Sequence, residues 1–301
     1  MKRLTILLIF FSFLNFNAWA APSNYSESIL SSGITPKSMD LYYTGIKNFQ
    51  MTEVGLDLNL NRRKDMTANL YWTNINASED SKSVSNQILA SVEKSYESDS
   101  LRAGINYWND PTSHINYTGP GLYWSHDLSL DSSNDSQFEL GADALVYQTK
   151  TVLEEETQKN QFNQYHPNIK FTQGFLNNRA VLTSTYAYYI YNTDIEKIVN
   201  DGLEANQVFE STLYTSAGKF INGFLRHEYN LNFNFEINEQ SSLIFDAGQA
   251  QSAVDLEWST SFGPTLSHKI SKDLLMEICF NRTVMYGTNY SYYTAGMNYR
   301  F

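Results

Sequence analysis

The chain has 301 residues and a net charge of −11, with 32 Asp and Glu against 21 Lys and Arg, which leaves no basic face for nucleic acid. A single cysteine, Cys279, excludes an internal disulfide and a cysteine-based metal site. The five histidines lack metal-ligand spacing and the 15 glycines are dispersed, so the sequence offers no metal, cofactor or phosphate-loop motif.

In chain order, residues 1–20 read as a signal peptide. Met1-Lys2-Arg3 is the positive end, and Leu4 to Leu14 is an apolar run too short to span a bilayer as a helix. Ala18-Trp19-Ala20 gives the small-x-small cleavage pattern, with the cut placed before Ala21. Residues 21–37 are expected to form an N-terminal periplasmic segment and residues 38–301 a single all-β domain. No later segment has about 20 consecutive apolar residues, so a membrane protein of this sequence must cross by strands.

The remainder alternates in polarity over stretches of about ten residues, separated by turn residues. Val54, Leu56, Leu58 and Leu60 alternate with Gly55, Asp57, Asn59 and Asn61. Leu101, Ala103, Ile105 and Tyr107 alternate with Arg102, Gly104, Asn106 and Trp108, and Phe138 to Val146 repeats the pattern around Glu139, Gly141 and Asp143. The clearest run is Leu225 to Ile237: leucines and aromatics fall on one side, and Arg226, Glu228, three asparagines and Glu236 on the other. Period-two alternation sends these sets to opposite faces of a sheet, whereas a helix would mix them. Further on, Leu256, Trp258, Thr260 and Phe262 alternate with Glu257, Ser259, Ser261 and Gly263. In the run of Met276, Ile278, Phe280 and Val284, Arg282 shares the apolar face. Either it snorkels from near an interface or a bulge shifts the register.

Counting back from the C-terminus gives about 14 antiparallel strands, with 12 as the alternative. The spans are 38–47, 51–61, 65–75, 84–94, 99–109, 115–130, 136–149, 166–176, 179–192, 224–237, 241–249, 255–269, 273–286 and 288–301. The longer connections are expected at 74–83, 109–114, 149–165 and 192–223. In the last of these Ile195, Ile198, Val199 and Leu203 have helical spacing.

Phe301, Tyr299, Met297, Ala295 and Tyr293 fall on one face of the final strand. This resembles the C-terminal strand of Gram-negative outer-membrane β-barrel proteins, and by size and strand number the chain is similar to small porins. The resemblance is to that broad class and carries over no functional residue from a particular porin family. It implies a transmembrane antiparallel up-and-down β-barrel in the cell outer membrane, surrounded by lipid and lipopolysaccharide. It also implies that the barrel-assembly machinery recognises the terminal strand, with Tyr299 and Phe301 as its signal.

If the apolar faces meet lipid, the opposite faces line a lumen. The candidate lumen-lining charges are Asp57, Arg102, Asp127, Glu139, Asp143, Lys170, Arg226, Glu228, Glu236, Glu257, Glu277 and Arg300. A dry core would require near-complete pairing of such groups, and water solvates them directly. The leading expectation is passive diffusion of small hydrophilic solutes or ions. The alternatives are a hydrolase using the rim histidines His114, His166 and His227, or a plugged barrel acting in surface binding or export. Ser125-His126-Asp127 cannot be a local triad, because His126 points away from its two neighbours on a strand.

Overall fold

The computed structural model describes residues 34–46, 49–61, 63–77, 83–110, 115–128, 134–153, 156–198, 212–214, 220–222, 224–254, 256–285 and 288–301. The expected signal peptide and most of the 21–37 segment lie outside them. Fourteen antiparallel strands form one closed barrel. They are β1 Thr35–Ile46, β2 Phe49–Asn59, β3 Met66–Ala77, β4 Ser83–Ser95, β5 Asp99–Asp110, β6 Ile115–Asp127 and β7 Ser136–Leu153. Then come β8 Glu156–Phe175, β9 Ala180–Tyr188, β10 Leu225–Asn238, β11 Ser241–Ser252, β12 Trp258–Lys269, β13 Leu274–Met285 and β14 Thr288–Arg300. Each strand pairs with its chain neighbours, and β1 closes the ring on β14 from Ser38↔Arg300 to Gly45↔Tyr293. Closure leaves no edge, the condition for burying backbone polar groups in hydrocarbon.

Fourteen strands stand where the sequence places them, with ends that differ: β1 starts at Thr35, three residues into the expected 21–37 segment, β6 stops at Asp127 rather than 130, β9 stops at Tyr188 rather than 192, and β11 runs to Ser252 rather than 249, while two further differences have a clear local cause. The segment 149–165, expected as a loop, is mostly strand: β7 runs to Leu153, β8 starts at Glu156, and pairing continues from Thr149↔Asn160 to Leu153↔Glu156. This hairpin projects beyond its neighbours, since β6 reaches only Thr149. Outside an apolar belt its residues need no lipid-facing partner, so the alternation fades although the ladder persists. The second difference is at β12, which begins at Trp258 rather than 255. Leu256 takes a left-handed φ of 60°, and Ser252 N–H donates to the Glu257 carbonyl at 3.0 Å, so the chain reverses between Ser252 and Glu257 before β12 begins.

The start of β1 and the end of β14 lie at one end, called here the terminal end; the other is the distal end. At the terminal end tight turns join β4 to β5, β8 to β9, β10 to β11 and β12 to β13, and the β8–β9 turn holds Leu176, Asn177 and Asn178 all at positive φ. Asparagine tolerates that region; leucine is strained there. Asn134 and Asp135, before β7, bind the backbone and side chains of this turn, locking two adjacent turns together.

The outward face is a continuous apolar belt that includes Ile105, Leu122, Leu231, Phe262 and Ile278, each at least half exposed. Soluble monomers rarely show such a patch. Near the distal end Tyr186, Tyr188, His227, Tyr229 and Trp258 form an aromatic girdle on this face. Arg282 points outward with the register of β12, β13 and β14 unbroken around it. Its guanidinium donates twice to Asn289 Oδ1, at 3.2 and 2.8 Å, near the distal start of β14. It therefore snorkels, and no bulge is present at that position. Placing an arginine at Leu231 instead should cost about 2–4 kcal/mol, whereas Arg282→Leu should cost less than about 1 kcal/mol. Reversible urea unfolding in lipid vesicles measures both.

Candidate functional site

The inward face of the wall is built from the second half of each alternation. Tracing the register around the ring at mid-height, Asp57 faces Asn69, Ser91 faces Gly104, and Gly121 faces Asp143, which in turn faces His166. Lys170 then aligns with Thr185 and Asn230. Asp57, Arg102, Glu139, Asp143, Lys170, Glu228, Glu236, Glu277 and Arg300 all lie on this face, opposite the apolar belt. Glu236 and Arg300 stand at the terminal end, as does Asp127, which accepts a hydrogen bond from Gln137 at 3.0 Å. Arg226 sits at the distal rim, where β10 bulges between Leu225 and His227. Glu257 is in the β11–β12 reversal rather than on a strand, for the backbone reason given above.

Charge is unevenly distributed around this wall. On the β5–β8 sector Glu139 is shared between two cations: Arg102 Nη2 is 3.4 Å away and Lys170 Nζ 3.8 Å. These are long contacts between partly exposed groups, weak as ion pairs and accessible to water. His166 Nδ1 lies 3.2 Å from the buried Asp143 carboxylate, and its ring stacks on Tyr189 at 4.6 Å. Further round the wall, β1, β2, β11 and β13 contribute the carboxylates Asp40, Glu53, Asp57, Asp246 and Glu277, with Arg300 on β14 standing between β13 and β1.

Sequence reasoning missed a recurring device built from tyrosine, glycine and a carboxylate. Tyr42 lies flat over Gly296 and donates to Glu277 at 2.7 Å. Tyr71 covers Gly55 and reaches Asp57 at 3.4 Å. Tyr123 covers Gly141, donates to Asp143 at 2.5 Å, and carries the Arg102 guanidinium 4.3 Å above its ring. A Cβ on Gly141 would stand 2.1 Å from the Tyr123 ring, so only glycine lets that ring lie along the wall. The pattern is visible only once strand register pairs each tyrosine with a glycine on the next strand. Gly141→Ala should swing Tyr123 into the lumen and break its bond to Asp143. A loss of about 1–3 kcal/mol, read as a lower urea midpoint in micelles, is expected.

The distal third of the lumen is apolar. Met51, Ile75, Trp108, Ile115, Tyr117, Leu145, Tyr147 and Phe162 point inward from β2, β3 and β5–β8 and are buried. Their ring centroids form a chain: Trp108–Tyr117 at 5.4 Å, Tyr117–Tyr147 at 5.0 Å and Tyr147–Phe162 at 5.1 Å. Ile195 and Ile198, from one helical turn after β9, and Phe224, before β10, complete the cluster. Asp194 caps that turn by accepting from Lys197 N–H at 3.2 Å. Val199 and Leu203, from the same expected helix, lie outside the described residues. The wall of β11–β13 carries the smaller Gly248, Ala250, Ser259, Ser261, Gly263 and Thr283, and the next strand, β14, adds the buried ring of Tyr292.

The histidines do not assemble a hydrolytic array among the described residues. His114 lies outside them. His166 faces the lumen, whereas His227 lies in the outward girdle with Tyr186 OH 2.9 Å from its Nδ1. His126 points outward to Asp99 at 3.0 Å, while Ser125 points inward to Ser100 at 2.7 Å. Ser241 Oγ lies 2.9 Å from His268 Nδ1 at the terminal end, with no carboxylate on that imidazole to complete a triad. At the last strand Phe301 is exposed, its ring 5.1 Å from that of Tyr299 and its N–H bonded to the Lys37 carbonyl.

No protein-family model matches the chain, and no curated protein matches it. Solved structures do. The CymD monoaromatic hydrocarbon channel aligns with a TM-score of 0.52 at 8% identity, covering 90% of this chain and 89% of that one. A FadL homologue from Pseudomonas aeruginosa gives 0.50 at 8% identity, covering 89% of each chain. The KdgM porin gives 0.43 at 8% identity, over 88% of this chain and 99% of that one. At such identities the first two likenesses speak to architecture: this chain has the closed antiparallel barrel fold found in outer-membrane channels.

Proposed function

We propose that the chain is an outer-membrane channel for passive passage of small hydrophilic solutes or ions. The observation that carries this reading is the mid-height wall, where carboxylates outnumber cations and the Arg102–Glu139–Lys170 contacts are 3.4–3.8 Å long. Fixed charges so loosely paired are stable only in contact with water, since a dry interior penalises each by several kcal/mol. In this reading the C-terminal Tyr299 and Phe301 serve barrel assembly, and the aromatic girdle marks the lipid interface.

Purified protein reconstituted in a planar bilayer should give stepwise conductance. Silent membranes at high protein load end the proposal. The excess of acidic groups should make the current cation-selective. The double substitution Asp57→Asn with Glu277→Gln should move the reversal potential in a salt gradient towards zero.

The distal aromatic cluster supports a second reading, a barrel closed at one end that serves in surface binding or export. The two readings differ in what the cluster does. If it narrows a working channel, Phe162→Ala combined with Phe224→Ala should enlarge the unit conductance of an already conducting protein. If it seals the barrel, the parent protein is silent and only the variant conducts.

A further inference from the structure

We propose that the β5–β8 wall holds a binding subsite for small hydroxylated carboxylates, built from Arg102 and Lys170. This deepens the channel reading and rests on it. Glu139 on β7 stands between the two, with Arg102 on β5 to one side and Lys170 on β8 to the other. Arg102 Nη2 lies 3.5 and 3.4 Å from the two Glu139 oxygens, and Lys170 Nζ lies 3.8 Å from Oε1. Both cationic heads thus converge on one carboxylate, near enough for a single small anion to touch both.

Glu139 does not saturate either cation. A charge-assisted N–H···O bond is about 2.7–2.9 Å long, and all three contacts are longer. Arg102 Nε and Nη1 donate to no other group among the described residues. The Arg102 and Lys170 side chains are 33% and 34% exposed, against 13% for Glu139. An anion arriving from the lumen therefore meets the cations while Glu139 is largely covered. Arg102 is also held in place: its guanidinium lies 4.3 Å above the ring of Tyr123, which Asp143 and the flat fit over Gly141 fix to the wall. A planar fork held this way presents its remaining N–H groups in one orientation, matched to a carboxylate.

The neighbouring acids leave room for this. Glu93 pairs with Arg102 across the β4–β5 ladder yet forms no ion pair with it. Asp143 is buried, with Tyr123 donating to it and His166 Nδ1 3.2 Å away. The carboxylates of β1, β2, β11 and β13 stand three or more strands from the pair, and salt screens charges beyond about 8 Å in a wet lumen. Direct contact with Arg102 and Lys170 decides binding. The body of the solute is set by what adjoins Lys170. Thr185 on β9 and Asn230 on β10 continue its row, and with it they line a cavity of about 260 Å³. Asn230 donates Nδ2 to Glu228 at 2.6 Å, which leaves its Oδ1 to accept from a hydroxyl.

The test uses single-channel current through the full-length mature protein in planar bilayers. Glycerate at millimolar concentration should cause reversible partial blockades, while glycerol and methylammonium at the same concentration should not. Arg102→Met and Lys170→Met should each weaken the glycerate blockade about tenfold, as expected for loss of a charge-assisted contact. Glu139→Gln should strengthen it about threefold, because the competing carboxylate is gone. Lys272→Gln, in a terminal-end turn, serves as the control and should leave it unchanged. The subsite is overturned if both cation variants block like the parent, if Glu139→Gln weakens the blockade, or if glycerol blocks as strongly as glycerate. A protein that conducts nothing refutes the channel reading instead. The subsite is then judged by ligand-observed NMR of glycerate with the folded protein in detergent. Binding lost in Arg102→Met and Lys170→Met upholds it, and no binding to the parent overturns it.

Discussion

Ring closure between β1 and β14 governs everything else in this structure. Ser38↔Arg300 through Gly45↔Tyr293 pairs the first strand with the last, so the wall has no free ladder. In hydrocarbon an unpaired backbone group costs several kcal/mol, and a closed ring is the sheet's solution to that demand. Closure also fixes the sense of every side chain. With period two, each residue faces either lipid or lumen, and a slip of one residue would exchange the two sets. Arg282 shows how firmly the register holds. An arginine on the apolar face has not displaced its strand; its head has turned to Asn289 at the rim.

Closure then shapes the chemistry inside. Inward side chains crowd one another across a curved wall, and large residues must lie flat or fill the bore. The mid-height wall takes the first course: Tyr42, Tyr71 and Tyr123 lie over Gly296, Gly55 and Gly141 and secure neighbouring carboxylates. The distal end takes the second, with Trp108, Tyr117, Tyr147 and Phe162 standing into the lumen around Phe224. The same residue type therefore does two jobs, set by whether glycine stands on the adjacent strand.

The contrast also marks what could be read from the amino-acid order. Alternation along one strand is a local property, so strand number, strand direction and the two faces of Leu225–Asn238 are visible in the sequence. Properties that depend on which strand lies next door are not. The tyrosine–glycine pairs join residues 16 to 254 positions apart, as with Tyr71 and Gly55 or Tyr42 and Gly296. The aromatic cluster is a similar case. Leu145 and Tyr147 continue the alternation of Glu139 and Asp143, so they fall on the face expected to be polar. Their burial comes from rings contributed by β5, β6 and β8. The β7–β8 hairpin was hidden for the opposite reason: past Thr149 the alternation in the sequence breaks down while backbone pairing goes on.

An apolar end and a charged middle within one lumen make opposite demands on water. The cluster draws its bulk from β2, β3 and β5–β8, whereas β11–β13 present glycine, alanine, serine and threonine at comparable height. At that height the β11–β13 side chains are themselves buried, Ala250, Ser259 and Thr283 among them. The cavity beside Asp246 lies on that wall, below the level of the rings. One distribution of side-chain volume thus accounts for both the packed cluster and the position of the polar cavity.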